Sequence, residues 1–302
     1  MSFGKIAQYI DTLEVREGKN FKLRKFDTDF DRKTVTRSEG EALLAKGIRQ
    51  LAELQDKLYA HDQYSVLIVI QAMDAAGKDG VIRHVMSGLN PQGVRVSSFK
   101  APTAAELDHD YFWRHSLALP ARGEIGIFNR SHYENVLVTK VYPEYILHEN
   151  LPGISSVDDI DDAFWAKRYR QIRRFEQTLH ENGTLILKFM LHVSKKEQKR
   201  RLLERIDDAS KNWKFSIGDL KVRADWDKFM KAYDEMIRQT SQPHAPWFII
   251  PADDKWFARL AIAAIIHRQF DRLKLAYPKP DAKQLEDLMK ARQILMDEPE
   301  EK

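Results

Sequence analysis

The sequence predicts an α/β fold built on a parallel sheet, and three observations carry that prediction. Short apolar stretches alternate with longer segments whose apolar residues recur at helical spacing, a pattern that means parallel strands joined by right-handed crossovers. The first full strand, at the start of Ser65 to His84 (SVLIVIQAMDAAGKDGVIRH), holds an unbroken run from Val66 to Ile70 that suits burial on both faces. It leads into the turn Gly77-Lys78-Asp79-Gly80 and then a helix-compatible segment. Strand, glycine-bearing turn, lysine and helix together form a phosphate cradle: backbone N–H groups and the positive helix end face the anion, and the lysine adds a full charge.

The chain has 302 residues, which accommodates one α/β domain with added helices. Hydrophobic residues make up 43% and charged residues 31%, so a core forms under a strongly charged surface. The absence of cysteine excludes disulfides, cysteine–zinc sites and thiol nucleophiles. No apolar run approaches membrane-spanning length, and MSFGKIAQYIDTLE lacks a signal-peptide core, so a cytoplasmic protein without a membrane or nucleic-acid partner is expected. The net charge of +4 is modest, and local clustering of the basic residues says more than their sum.

In chain order, residues 1–38 read as polar and irregular. Leu43, Leu44, Ile48, Leu51, Leu54 and Leu58 predict an amphipathic helix over Glu39–Tyr59. After the opening strand and its helix, Leu89–Gly93 is a turn and Val94–Phe99 a second strand. Thr103 and Glu106 form a capping-box pattern for a helix through Tyr111 and Trp113. Glu124–Asn129 is a third strand, with helix expected over Ser131–Val138. A long helix over Ile160–His180 ends at Asn182-Gly183. Thr184–Leu191 is a fourth strand, and Ser194 with Glu197 opens a basic helix, SKKEQKRRLLERI. Helix over Asp219–Arg238, a fifth strand at Pro246–Pro251, and helices over Trp256–Lys274 and Asp281–Met296 complete the chain. The expected organisation is one domain, with an N-terminal extension and helix (1–60), a lid segment (192–215) and a C-terminal helix (275–302).

Ligands of such sheets bind beyond the carboxyl ends of the strands. Three polar clusters lie there: Asp74 to Gly80, Asn129 to Glu134, and His192 to Arg205. Lys78 is the candidate grip on a phosphoryl group. Measured against the consensus phosphate loop, Ala72 stands in place of the first glycine and Asp79 in place of the hydroxyl that holds Mg²⁺. That moves a metal role onto other carboxylates. Asp74 serves either as a Mg²⁺ ligand or as a hydrogen-bond acceptor within the turn. Glu134 supplies a second metal carboxylate, completes a capping box with Ser131, or does both. Arg130 suits charge neutralisation in a phosphoryl transition state. Arg201 and Arg205 share a face of the basic helix, with Leu202 and Ile206 as anchors. That face is either a solvated surface or a mobile lid. The run from Lys167 to Arg174 reads as mostly surface, and His109 and His115 as ordinary packing residues.

QAMDAAGKDG, VSSFKAP, DYFWRH, GEIGIFNRSHYENVLV, LKFMLHVSKKEQKRR and WFIIPADDKWF together resemble the family-2 polyphosphate kinases, from about Phe21 to about Lys274. The resemblance implies a three-layer α/β/α P-loop kinase fold similar to thymidylate kinase, with a parallel five-stranded sheet and a helical lid. It implies reversible, Mg²⁺-dependent transfer of the terminal phosphoryl group of inorganic polyphosphate onto AMP or ADP, giving ADP or ATP, by a homodimer or homotetramer. Asn129, with Glu134 after it, resembles the subgroup that accepts both AMP and ADP. Asp74, Ala75, Ala76, Gly77, Lys78, Asp79 and Gly80 match the first phosphate loop, and Asn129, Arg130 and Glu134 the second motif. Asp74 and Glu134 are the implied metal ligands. Lys196, Arg201 and Arg205 belong to the matching lid, with Arg83, Lys100 and Arg114 as further polyphosphate contacts. Two other functions fit the same motifs: an ATP-dependent nucleotide kinase, and a non-catalytic polyanion binder.

Overall fold

The computed structural model describes residues 3–31 and 34–298. Residues 1–2, 32–33 and 299–302, parts of the expected terminal segments, lie outside that description.

Strands β1 (Glu14–Val15), β2 (Ser65–Ala72), β3 (Val94–Ser98), β4 (Ile125–Asn129), β5 (Thr184–His192) and β6 (Trp247–Pro251) form one sheet, in the order β1-β6-β5-β2-β4-β3. All pairings are parallel except β1 with β6. The five expected strands are present, and β1 makes the sheet six-stranded. β2 is buried along its whole length because β4 and β5 flank it and helices cover it, which is why its sequence is continuously apolar.

The helices are α1 (Ala7–Thr12), α2 (Arg37–His61), α3 (Lys78–Val85), α4 (Ala104–Leu107), α5 (Trp113–Ser116), α6 (Glu134–Val141), α7 (Asp162–Glu181), α8 (Lys195–Asp207), α9 (Ile217–Ala224), α10 (Trp226–Thr240), α11 (Lys255–Arg272) and α12 (Ala282–Asp297). α11 packs on α2, α3 and α1, while α10 packs on α6 and α7. Right-handed crossovers from this strand order put the first group on one face of the sheet and the second on the other, giving three layers.

The N-terminal stretch corrects its sequence-based description. Ile6, Ile10 and Leu13 are buried, and Phe30 stacks on Phe257 with ring centroids 3.7 Å apart. Its apolar residues are scattered among charges without a period. Their partners sit on α11 and β6, far along the chain, so no local pattern reveals them. Two expected helices are broken, each by an aspartate. Asp110 accepts from the Phe112 backbone N–H at 2.9 Å, closing a turn that separates α4 from α5. Asp225 ends α9, opens α10 and accepts from the Tyr142 hydroxyl at 2.9 Å. Thr36 and Glu39 form a capping box that starts α2 at Arg37, two residues before the expected start at Glu39. The box at Ser131–Glu134 does not form: α6 starts at Glu134 with no side-chain cap. Among the described residues, no helix is long and apolar enough to cross a membrane.

Candidate active site

The phosphate loop leaves β2 at its carboxyl end and turns through two left-handed residues, Ala75 (φ +62°) and Gly77 (φ +113°). The conformation at Gly77, which caps α3, suits glycine and strains any L side chain. Lys78 is the first residue of α3, and its ammonium folds back onto the end of β2, donating to Ala72 O at 2.8 Å and Met73 O at 3.5 Å. Burial and the neighbouring Arg130 guanidinium push its pKa below the ordinary lysine value, against the pull of Asp74, Glu134 and Asp79.

β4 ends beside this loop. Asn129 Nδ2 donates to Asp79 Oδ1 at 2.9 Å, tying the two strand ends together. Arg130 follows with φ +63° and reaches Asp74 Oδ1 at 2.8 Å and Glu134 Oε2 at 3.5 Å. Those two carboxylates, Glu134 foremost, hold its charge more firmly than usual against the effect of burial. Glu134, released from a capping role, turns its carboxylate to Arg130. The first two clusters therefore meet around one guanidinium bridging two acids.

The third cluster closes over the loop through Gln198 and Arg201 of α8. Gln198 Nε2 donates to Asp74 O at 3.0 Å. Arg201 is only 3% exposed, and its N–H groups go to Glu197, Ala75 O, Ala76 O, Ala252 O and Asp253 O. Arg201 is expected among the polyphosphate contacts, and in this structure its side chain turns to the protein. An arginine has five N–H donors and all are engaged, so it locks the phosphate loop to the start of α8 and the end of β6. Leu202 anchors α8 as expected, but Ile206 is 46% exposed and does not. Arg205 lies 3.5 Å from Asp219 of α9, linking the two helices that flank the segment carrying exposed Trp213. Burial, and then the charge of Asp74, raise the Asp219 pKa.

On the β3–β4 side of the loop lies a cavity of about 390 Å³, in the range of small-molecule sites. Arg130 and Glu134 stand among its lining, and Phe99, Pro102, Leu107, Tyr111 and Val138 supply apolar wall. Lys100 and Arg114 line this cavity rather than the α8 side, and Arg114 is held by Lys100 O at 2.9 Å and Glu106 at 3.5 Å. Behind the wall, Arg168 is buried, not on the surface as its basic run suggests. It pairs with Glu149 and lies over the Tyr111 ring at 4.2 Å.

On the β5–β6 side, Lys255 and Arg259 lie one turn apart on α11, and Arg259 approaches the first turn of α3 at Gly80. Among the described residues, neither has a carboxylate within ion-pair distance; the nearby acids already hold Arg200, Arg201, Lys211 and Arg37. Neither residue stands out by sequence pattern. The one signal in the sequence is the lysine in ADDKW, just after a strand end. Arg83 and Lys196 are exposed on α3 and α8.

No group of three or more metal-type ligands occurs among the described residues. Asp74 and Glu134, joined through Arg130, form a two-carboxylate set of the kind that holds Mg²⁺ when phosphate oxygens and water complete the shell.

The chain matches the polyphosphate kinase 2 (PPK2) family over residues 34–278. It is 47% identical over 282 residues to an ADP-polyphosphate phosphotransferase of Rhodopseudomonas palustris, spanning 93% of this chain and 96% of that one. It is 46% identical over 263 residues to an AMP/ADP-polyphosphate phosphotransferase of Meiothermus ruber, spanning 86% and 92%. Its structure resembles a polyphosphate kinase 2 from Arthrobacter aurescens TC1 with a TM-score of 0.85 and 39% identity, over 95% of this chain and 96% of that one.

Proposed function

Because this chain belongs to the polyphosphate kinase 2 family, we propose that it transfers the terminal phosphoryl group of inorganic polyphosphate to AMP and ADP. It is a phosphotransferase with a P-loop kinase fold. One observation carries the assignment to particular residues. Asp74, Lys78, Arg130 and Glu134 meet between a nucleoside-sized cavity on the β3–β4 side and the cations Lys255 and Arg259 on the β5–β6 side.

In this reading the acceptor nucleotide enters the cavity, with its base against the apolar wall and its phosphate toward Arg130. Polyphosphate lies across the opposite side, along Lys196, Arg205, Lys255 and Arg259. A dense polyanion requires such a lane of positive charge. A terminal phosphate oxygen of the nucleotide attacks the end phosphorus of the chain in line. The bond to the bridging oxygen breaks, and the shortened chain leaves with that electron pair. The attacking oxygen is already ionised, so no general base is needed and no covalent enzyme intermediate forms. Lys78 and Arg130 stabilise the charge that spreads over the equatorial oxygens. Lys78 swings from the Ala72 carbonyl to the phosphoryl group, exchanging one oxygen acceptor for another. Asp74 and Glu134 would hold Mg²⁺, which supplies charge neutralisation between donor and acceptor when bound.

The reading includes a single catalytic unit, location in the cytoplasm and assembly into a homodimer or homotetramer. The exposed apolar residues of α12, among them Leu288, Met289 and Leu295, support assembly, which sedimentation would measure. Incubation with AMP or ADP, Mg²⁺ and either polyphosphate or ATP tests the activity. Polyphosphate should serve as donor for both nucleotides. Turnover with ATP alone would make the protein an ATP-dependent nucleotide kinase, and turnover with neither donor would leave a polyanion binder.

A further inference from the structure

Beneath the site, on the α7 and α10 side of the sheet, lies a charged cluster that the proposed mechanism does not use. Lys188, in the middle of β5, is fully buried. Its ammonium donates to Glu176 Oε2 of α7 at 2.6 Å, to the Tyr133 hydroxyl at 2.9 Å and to Thr240 O at 3.0 Å. Tyr133 in turn donates to Glu176 Oε1 at 2.5 Å. Lys188, Glu176, Tyr133 and His132 are all 0% exposed. Desolvation opposes ionisation of both Glu176 and Lys188, yet each partner's charge favours the other's. On balance the Glu176 carboxyl is held below its ordinary value by Lys188 and His132 against burial, while burial holds the Lys188 ammonium below its own against the charge of Glu176. The buried ring of His132, its Nε2 3.6 Å from Glu176, is kept neutral by desolvation.

Stability does not explain this arrangement. A buried ion pair in the middle of a strand is commonly no better than apolar residues of the same volume. Its connections point elsewhere. Tyr133 immediately precedes Glu134, and Ser131 Oγ accepts both from the Tyr133 backbone N–H at 3.2 Å and from Gln71 Nε2 at 3.1 Å. The turn from Arg130 to Glu134 is thus fastened to β2 at one end and to β5, α7 and α10 at the other. The residue it presents, Arg130, has a left-handed backbone at φ +63°, which a non-glycine residue keeps only when its surroundings hold it there.

We propose that Lys188, Glu176 and Tyr133 are positioning residues, a buried clamp that holds the Arg130–Glu134 turn so that the Arg130 guanidinium is aimed before substrates bind. The proposal rests on Arg130 acting on the transferred phosphoryl group, as read above.

Three variants test it. Tyr133→Phe removes only the hydroxyl, and it should lower kcat roughly 10- to 100-fold with the nucleotide KM within about threefold of wild type. Placed in an Arg130→Ala background, the same change should lower kcat less than about twofold, because the group it positions is gone. The double variant Lys188→Met/Glu176→Leu replaces the pair by apolar side chains. It should unfold near the wild-type temperature yet show the same fall in kcat. Equal effects of Tyr133→Phe in both backgrounds would overturn the proposal. So would a double variant or a Tyr133→Phe enzyme with wild-type kcat. If the double variant does not fold, the two Tyr133→Phe measurements decide. A wild-type protein inactive with polyphosphate would sink the functional reading instead, and the two failures are separate because every variant is scored against wild-type turnover.

Discussion

Arg201→Met is the substitution that most sharply separates what the fold does with the basic helix from what its charge suggests. Methionine fills the space of the aliphatic stem and removes every donor. The guanidinium now donates to Ala76 O and Ala252 O at 2.6 Å, to Asp253 O at 2.9 Å and to Ala75 O at 3.2 Å. Ala75, Ala76 and Ala252 are 7%, 3% and 1% exposed, so their carbonyls have little access to replacement water. Each lost bond costs about 1 kcal/mol where water repairs it, and up to about 3 kcal/mol where it does not. The bonds share one group and are not additive, so the sum settles at about 3–5 kcal/mol, the usual cost of breaking a buried charged network. For a chain of this size that lowers Tm by roughly 6–15 °C. The phosphate loop loses its fastening to β6, so kcat should fall roughly 10- to 100-fold. The polyphosphate KM and its dependence on salt should stay within about twofold. Thermal unfolding and initial rates across a salt series measure all of this. A variant with unchanged Tm and kcat, a much higher polyphosphate KM and a flatter salt dependence would refute the assignment and make Arg201 a contact of the chain.

Four further outcomes follow from the geometry. Lys78→Gln should reduce kcat by roughly 100- to 1,000-fold while calorimetric nucleotide affinity stays within about threefold, since its charge acts on the transferring group. Lys255→Ala with Arg259→Ala should raise the KM for long polyphosphate about tenfold and flatten its salt dependence, because two cations leave the lane; an unchanged salt slope would remove α11 from that lane. Arg168→Met should raise the nucleotide KM about tenfold and leave the polyphosphate KM alone, since Arg168 braces Tyr111 and Glu149 in the cavity wall. Glu197 hydrogen-bonds Arg200 and then Arg201, which hold its pKa at about 2. A depressed carboxylate stabilises the fold above its unfolded pKa of about 4.3, and that stability is lost as pH falls toward 2. Denaturant titrations should therefore find Glu197→Gln about 1–2 kcal/mol less stable at pH 7, the value discounted for the exposure of Arg200, and indistinguishable from wild type near pH 2.

The sequence by itself determined the sheet and the place of the site. Val66 to Ile70 has no polar residue, so it has to be a strand covered on both faces, and a glycine–lysine turn at its carboxyl end has to face the crevice where such sheets bind ligands. The convergence of Asp74, Lys78, Asn129, Arg130 and Glu134 follows, because strand ends that neighbour one another in the sheet bring their loops together. What only the tertiary structure decided concerns residues whose character depends on partners distant in sequence. Arg201 and Arg205 look equivalent on the surface of one helix, yet one is saturated by four main-chain carbonyls from two other loops and the other reaches toward Asp219. Lys188 interrupts an apolar strand, which signals something unusual, but the identity of its partners, Tyr133 just before α6, Glu176 on α7 and Thr240 on α10, is a property of packing alone. The N-terminal residues form part of the core only because α11 and β6 come to meet them. Periodicity records which face of an element is buried; it does not record what that face is buried against.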